Sequence, residues 1–283
     1  MLQKNTETFL GCDAGWEEAR VVLYGAPYDS TTSFRPGTRF GSRAIRAESY
    51  GLELYSPYQD AELQGLVLDS GDLELPFGDP APALAMIEAR AAEILQGGKV
   101  PFLLGGEHLV TLGAVRAAAK AHPDLHILHF DAHADLRADY LGAPLSHACV
   151  LRRRHELVGD HRIYQFGIRS GDKAEFDWGK GHVFTHKFDM EGLSEALDAL
   201  QGKPVYLTVD LDVLDPSVFP GTGTPEPGGV SFDALRRAVT DACRRLNIVA
   251  ADVNELSPHY DPSGISTAAA CKIVREMLIA LGG

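Results

Sequence analysis

The sequence predicts an α/β protein in which a parallel sheet is covered by helices on both faces. Short apolar runs alternate along the chain with longer segments whose apolar residues recur every three or four positions. Polar residues gather where three of the apolar runs end, as they do at the ligand-binding edge of parallel sheets. No linker or change in composition divides the 283 residues, so we expect one domain, 1–283, with 1–18 as an N-terminal extension.

The apolar runs are short enough to be strands, and the segments between them have helical spacing and end in Gly or a basic turn. The clearest helical patterns cover residues 82–98, 109–122 and 231–246. The expected strands are 21–27, 66–71, 100–106, 125–130, 162–168, 182–188, 205–210 and 247–253.

The most informative motif is DLD, at Asp210 and Asp212, which closes the apolar run PVYLTV. Side chains two positions apart on a strand share a face, so both carboxylates can point at one place. A buried pair of like charges is costly unless a cation lies between them. The motif therefore indicates a metal site.

Two further strand ends carry the same kind of side chain. The run LHILHF leads into three polar residues spaced two apart, and VPFLLGG leads into Glu107 and His108. Four carboxylates would overload one divalent ion, so two ions are expected, and oxygen-rich ligation with some imidazole favours Mn2+, with Co2+, Ni2+ or Zn2+ as substitutes. Each motif alone would also fit a turn or a helix cap. The candidate metal ligands are His108, Asp131, His133, Asp135, Asp210 and Asp212.

The composition limits the possible binding partners and the cellular compartment of the protein. A formal net charge of −13 argues against a nucleic-acid partner and is consistent with a small cationic substrate. No apolar run reaches membrane-spanning length and the N-terminus has no signal-like pattern, so we expect a cytoplasmic protein without a membrane partner. The four cysteines form no CxxC pair and are expected to be reduced.

Several longer motifs resemble those of the ureohydrolase family, which comprises arginase, agmatinase and their relatives. They are YDSTTSFRPGTRFGSRAIR, GGEHL, FDAHAD, SHACVLRR, VDLDVLDPSVFPGTGTPEPGG and DVNELSPHYD, in the order and spacing of the family. LPFG, LELYSPYQD and FGIRSG are similar to segments of the short bacterial agmatinases. The resemblance covers almost the entire chain.

The resemblance implies an arginase-like three-layer αβα sandwich with a mainly parallel sheet of about eight strands, assembled as homotrimers or homohexamers. It assigns one metal to His108, Asp131, Asp135 and Asp210, and the other to Asp131, His133, Asp210 and Asp212. It makes His147 the general acid or proton shuttle, Glu255 the guanidinium-binding carboxylate, and Thr224 a residue near the substrate. Without the resemblance, His147 could be a buried histidine and Glu255 an ion-pair partner.

The chemistry expected of such a centre is amidine hydrolysis. A guanidinium carbon is a poor electrophile, and two metal ions can lower the pKa of a bridging water toward 7. Attack of the metal-bridging hydroxide, transfer of its proton to Asp135 and protonation of the leaving nitrogen through His147 would release urea and a primary amine. Glu255 and His147 would contact the guanidinium group during this reaction.

The expected substrate is agmatine, giving putrescine and urea. Arginases place an Asn two positions after the last Asp of the DAHxD motif to hold the α-groups of arginine, and this chain has Arg137 there. Arg137 is expected to turn toward solvent or a subunit neighbour. If it points into the pocket, 4-guanidinobutyrate is the alternative. Arginine, another guanidino compound, formimidoylglutamate, or a non-catalytic role through the oligomer surface are the other possibilities.

Overall fold

The structure, a computed structural model, describes residues 7–63 and 65–282. Its central feature is an eight-stranded sheet with the strand order β4-β1-β5-β10-β9-β6-β7-β8, in which all neighbours run parallel. This confirms the predicted fold class. The strands are β1 Val21–Gly25, β4 Val67–Asp72, β5 Val100–Leu104, β6 His126–Phe130, β7 Ile163–Ile168, β8 Phe184–Lys187, β9 Pro204–Asp210 and β10 Asn247–Asn254, and a separate antiparallel hairpin is formed by β2 Tyr55–Ser56 and β3 Ala61–Glu62.

Helices cover both faces of the sheet. They are α1 Gly41–Ser49, α2 Pro80–Gln96, α3 Thr111–Ala121, α4 Val150–Val158, α5 Lys173–Gly179, α6 Leu193–Leu200, α7 Phe232–Arg245 and α8 Ile265–Gly282. Short 3-10 turns lie at Thr38–Phe40, His108–Val110, His147–Cys149, Leu211–Val213 and Pro258–Tyr260. None of the helices in the described ranges is long and apolar enough to cross a membrane.

The core consists of two apolar layers because successive strand residues face opposite sides of the sheet. In β1, Leu23 belongs to the apolar layer that includes residues of α1, α6, α7 and α8, whereas Val22 and Tyr24 belong to the layer that includes residues of α2, α3 and α4. A strand buried on both faces is apolar throughout, which is why these runs lack a polar alternation. The result is a three-layer sandwich.

Register aligns the strand ends that carry the candidate site. Val253 of β10 pairs with Leu104 of β5, and Asn254 pairs with Asp210 of β9. Phe130 of β6 pairs with Val209 of β9. The carboxyl ends of β5, β10, β9 and β6 therefore meet at one edge of the sheet, and the residues that follow them are brought together there.

Part of the N-terminal segment packs against the sheet. Phe9 and Cys12 are buried, and the backbone N–H of Phe9 donates to the Oδ2 atom of Asp69 at 2.8 Å. Asp13 forms an antiparallel bridge with Leu68 of β4. Residues 1–6 of the expected N-terminal extension lie outside the described residues.

A buried ion-pair group ties α1 to β4. The Arg46 guanidinium donates to both oxygens of Asp69, from Nε at 2.7 Å and from Nη2 at 2.9 Å, and it also pairs with Asp72. The Arg46 side chain is 4% exposed and that of Asp69 is fully buried. Removing the cation would leave a buried carboxylate without its main partner.

We expect Arg46→Ala to lower the free energy of unfolding by about 3–5 kcal/mol, as the loss of one partner from a buried ion pair does. Urea denaturation followed by circular dichroism would measure the change. Arg43→Ala on the same helix is the control, because its pair with Glu7 is exposed and should contribute little. Equal stability of the two variants would contradict the expectation.

Candidate metal centre

The ends of β5, β9 and β6, at one edge of the sheet, deliver the six candidate ligands. His108 begins the 3-10 turn after β5, and Asp210 and Asp212 lie at the end of β9 and in the turn that follows it. Asp131, His133 and Asp135 follow β6 directly. His133 is partly exposed, whereas the other five are buried.

One group of ligand atoms surrounds the Nδ1 atom of His108. This nitrogen lies 3.0 Å from Asp131 Oδ2, 3.0 Å from Asp135 Oδ2 and 3.5 Å from Asp210 Oδ2. Neighbouring ligands of one octahedral ion with bonds of ~2.1 Å lie roughly 3 Å apart. The three carboxylates therefore lie at distances from the His108 nitrogen that suit ligands of one ion.

A second group forms around the Nδ1 atom of His133. It lies 3.1 Å from Asp212 Oδ2 and 3.5 Å from Asp131 Oδ1. Asp131 thus presents one oxygen to each histidine, which is the arrangement of a carboxylate shared between two ions. The donor set of imidazole and carboxylate suits divalent ions of the Mn2+ to Zn2+ series.

Burial makes this group electrostatically unfavourable by itself. Burial and the neighbouring carboxylates of Asp212 and Asp131 raise the pKa of Asp210 well above its usual range. Burial and Asp131 do the same to the pKa of Asp135. Burial lowers the pKa of His108 to about 3, so its imidazole is neutral and can offer a lone pair. A bound cation would therefore stabilise the ionised form of these buried carboxyl groups.

Two residues at the site have strained backbone conformations. Asp135 has φ 53° and Glu255 has φ 68°, in the left-handed region that side chains other than glycine seldom adopt. The Asp135 carbonyl accepts from the N–H groups of Leu151 and Arg152, and the Glu255 N–H donates to the Gly106 carbonyl at 2.9 Å. Such strain often accompanies functional sites, because the surroundings hold the residue in place.

Glu255 lies beside the ligands at the end of β10. Its Oε1 atom accepts from the backbone N–H of His108 at 2.7 Å, which fixes the carboxylate against the 3-10 turn. Burial and the charge of Asp212 raise its pKa well above the usual range. A cation brought next to this group would favour its ionised form.

His147 and Thr224 lie at the open side of the centre. The His147 Nε2 atom is 3.2 Å from Ser33 Oγ, and burial lowers the pKa of its imidazole. Its Nδ1 atom is buried and has no hydrogen-bond partner in the described part of the chain. The Thr224 hydroxyl donates to Asp212 Oδ2 at 3.3 Å. The structure thus brings both residues to the predicted ligands.

The structure also reveals a second layer of polar residues that the sequence analysis missed. His129 Nε2 lies 2.8 Å from Asp131 Oδ2, so this histidine contacts a candidate ligand. His108 Nε2 lies 3.0 Å from Thr208 Oγ1, and the Thr208 hydroxyl donates to Asp252 at 2.6 Å. His129 and Thr208 each lie two positions before a ligand, so the period of two on the strand could have revealed them.

A cavity of about 260 Å³ opens next to His133, Asp135 and His147. Arg137 lies in its wall, 3.3 Å from Asp172 and 3.3 Å from Glu175, with its guanidinium over the Tyr140 ring. Arg137 therefore lines the cavity and pairs with carboxylates of the chain itself, while its side chain remains 31% exposed. Asp172 is the N-cap of α5 and Glu175 lies in its first turn. Both carboxylates attract the Arg137 guanidinium, and they are too far from it in sequence for a local pattern to reveal the contact.

The chain matches known proteins over nearly its full length. The model of the arginase family matches residues 19–280. The agmatinase of Bacillus subtilis (strain 168) is 49% identical over 277 residues, which cover 96% of each chain.

Solved structures are also similar to this chain over nearly its full length. A structure from Clostridium difficile has a TM-score of 0.92 at 45% identity and covers 95% of this chain and 99% of its own. The agmatine ureohydrolase of Thermoplasma volcanium has a TM-score of 0.88 at 33% identity, covering 98% of this chain and 95% of its own. This chain therefore has the same central sheet and flanking helices as these two proteins.

Proposed function

Because the chain belongs to the arginase family, we propose that it hydrolyses agmatine to putrescine and urea at a centre that holds two Mn2+ ions. The observation that carries the proposal is the pair of histidine and carboxylate groups that share Asp131. The match to agmatinases makes the chain a hydrolase of amidine C–N bonds. Co2+, Ni2+ or Zn2+ would suit the same ligands.

The donor set fits two divalent ions. His108, Asp131, Asp135 and Asp210 would hold one ion, and His133 and Asp212 would hold the other together with Asp131 and Asp210. Four carboxylates balance the charge of two such ions. When bound, the ions supply Lewis acidity and a hydroxide from water at neutral pH.

The chain's own residues would then position the substrate and move protons. Glu255 would hold the planar guanidinium through paired N–H···O bonds, which fixes the direction of attack on its carbon. Asp135 would accept the proton of the attacking oxygen after the C–O bond forms. His147 would deliver a proton to the alkyl nitrogen as the C–N bond breaks, which releases urea and the amine. Thr224 would keep Asp212 oriented through its hydroxyl.

The wall of the cavity supports a substrate with a cationic tail. Arg137 is already paired with Asp172 and Glu175, and two carboxylates against one guanidinium leave one negative charge. The terminal ammonium of agmatine complements that charge, whereas a second carboxylate would be repelled. Arg137 in the pocket wall is nevertheless the observation that favours 4-guanidinobutyrate as the second candidate.

We further propose that residues 1–283 form one ureohydrolase domain and act as a cytoplasmic homotrimer or homohexamer. The matched range, 19–280, supports a single domain. All four thiols, Cys12, Cys149, Cys243 and Cys271, are free and buried, which suits a reducing compartment. The assembly size follows from the family resemblance and could be measured by light scattering.

We expect the protein to take up two equivalents of Mn2+ per chain after incubation and desalting, measured by elemental analysis. Asp212→Asn should lower the metal content because it replaces a charged ligand of the second group with a neutral side chain of the same size. The loss of turnover should exceed the roughly 10- to 100-fold cost of removing an outer-layer partner. Thermal unfolding of the metal-free variant is the control for folding. Full activity at one equivalent would contradict the dinuclear centre.

We expect agmatine to exceed arginine in kcat/KM by at least ~10²-fold. The α-amino and α-carboxylate groups of arginine would lose hydrogen bonds to water that no described residue of the cavity wall replaces, at a cost of about 1.5 kcal/mol for each of two contacts. Urea release over a panel that includes 4-guanidinobutyrate would measure the preference. Arg137→Ala should leave agmatine as the best substrate if Arg137 only balances Asp172 and Glu175. A selective loss of guanidinobutyrate hydrolysis, absent from the exposed control Lys173→Ala, would show that Arg137 binds a substrate carboxylate. Guanidinobutyrate as the best substrate would reject agmatine and leave the hydrolase assignment standing.

A further inference from the structure

The loop from Asp29 to Gly37 is closed on itself and forms one wall beside His147. Asp29 Oδ2 accepts from the backbone N–H of Gly37 at 2.7 Å, and the Asp29 carboxylate also pairs with Arg39. Beside Gly37, at the end of the loop, the Tyr260 hydroxyl donates to the Pro36 carbonyl at 3.0 Å. These bonds hold both ends of the loop, so its middle has a defined position.

Glu107 fastens the middle of this loop from below. Its carboxylate accepts from the Thr31 hydroxyl at 2.8 Å, from the Thr31 N–H at 3.0 Å and from the Thr32 hydroxyl at 3.2 Å. Its own N–H donates to the Tyr28 carbonyl at 2.8 Å. A Cβ atom on Gly106 would lie 2.1 Å from that carbonyl oxygen, so this approach requires glycine. Glu107 is 1% exposed, and its role in this contact is unrelated to metal ligation.

The Thr31 hydroxyl connects Glu107 to His147. A hydroxyl has one proton to donate, and Thr31 donates it to Oε1 of Glu107, which can accept it whether the carboxyl group is ionised or neutral. The Thr31 oxygen therefore turns a lone pair toward the backbone N–H of His147, which donates to it at 3.2 Å. Two residues along the same loop, Ser33 Oγ lies 3.2 Å from His147 Nε2.

We propose that Glu107 and Thr31 are positioning residues that hold His147 at the distance proton transfer requires. The proposal rests on the role proposed above for His147. Proton transfer depends on hydrogen-bond reach, and a displacement of about 1 Å can reduce a rate by roughly 10²-fold. The 3-10 turn that carries His147 has three residues, and His147 is the first of them. A hydrogen bond to the His147 N–H therefore fixes the backbone from which the imidazole extends.

A matched pair of substitutions tests the proposal. Thr31→Val and Thr32→Val each remove one hydroxyl bonded to Glu107, but only Thr31 also contacts His147. Thr31→Val should lower kcat for agmatine at least ~10-fold with Mn2+ content and KM nearly unchanged, because His147 loses its anchor and the ligands do not. Thr31→Ser, which restores the hydroxyl, should recover most of the rate. Thr32→Val should stay within a few-fold of the parent.

Equal rates in Thr31→Val and Thr32→Val would overturn the proposal, as would a loss of Mn2+ in Thr31→Val that accounts for its lower rate. Glu107→Leu, which removes the acceptor oxygens, should reproduce the kcat effect of Thr31→Val, and the Thr31 series decides the matter if that variant does not fold. His147→Ala separates the two levels of inference. A slow His147→Ala enzyme with a normal Thr31→Val enzyme rejects only the positioning role, whereas a fast, metal-replete His147→Ala enzyme rejects the proposed acid.

An independent cluster lies at the β8 edge of the sheet. His155 Nε2 and His182 Nδ1 lie 2.7 Å and 2.5 Å from the same oxygen, Oδ1 of Asp160. Trp178 stacks on His182 with ring centroids 4.1 Å apart and meets the edge of His155 at 4.8 Å. The aromatic ring thereby orients both imidazoles toward one point.

We propose that this cluster binds a divalent ion that prefers imidazole, such as Zn2+, separately from the dinuclear centre. The three ligand atoms lie within 4.8 Å of one another, and two nitrogens with one carboxylate oxygen match the ligand preference of Zn2+. Asp160 is in an exposed turn, so its carboxylate can move outward from the two nitrogens to make room for an inserted ion. Bound there, the ion would link the end of α4 to the segment before β8.

Titration of the Mn2+-loaded protein with ZnCl2 tests this site. The parent and the control His122→Ala should retain three equivalents of divalent metal per chain in total, one more than before ZnCl2 is added, and their Tm should rise. His182→Ala should lack both the extra equivalent and the Tm shift. Zn2+ uptake that is equal in His182→Ala and the parent, or no uptake in the parent, would overturn the proposal.

Discussion

The repulsion among four buried carboxylates is the constraint on which the rest of the site depends. Asp131, Asp135, Asp210 and Asp212 converge because β6 and β9 are adjacent and parallel, so the residues after them leave the sheet at the same edge. No sheet would keep these charges together without compensation. The neutral imidazole of His108 and the bridging position of Asp131 are the features that make the group suitable for cations rather than merely unfavourable.

The compensation extends beyond the ligands. His129 donates to Asp131 from one side, and Thr208 connects His108 to Asp252 from the other. Such outer contacts fix the orientation of ligands and the ring nitrogen that remains free. The left-handed backbone at Asp135 belongs to the same arrangement, because the packed surroundings hold a conformation that the residue would not adopt alone.

Substrate recognition and proton transfer depend on loops rather than on the sheet. Arg137 joins Asp172 and Glu175 in the cavity wall, so the charge that a substrate tail meets is a sum over three side chains. The anchoring of His147 involves Thr31, from another loop. Loops carried by a rigid sheet can differ in such details while the residues at the strand ends stay in place, which is how one fold can serve several functions.

The sequence by itself determined the strands, the parallel fold and the six candidate ligands, because each of these depends on local spacing. The spacing of two singled out Asp210 with Asp212, and Asp131 with His133 and Asp135. In the structure Asp212 lies in a 3-10 turn and the three residues of the second set follow the end of β6, so the turns after the strands, and not strand alternation, bring these side chains together. Only the tertiary structure decided where Arg137 points and what holds His147. Glu107 and Thr31 are 76 residues apart, and Thr31 and His147 are 116 apart. Contacts over such distances depend on how loops pack above the sheet, which no local pattern records.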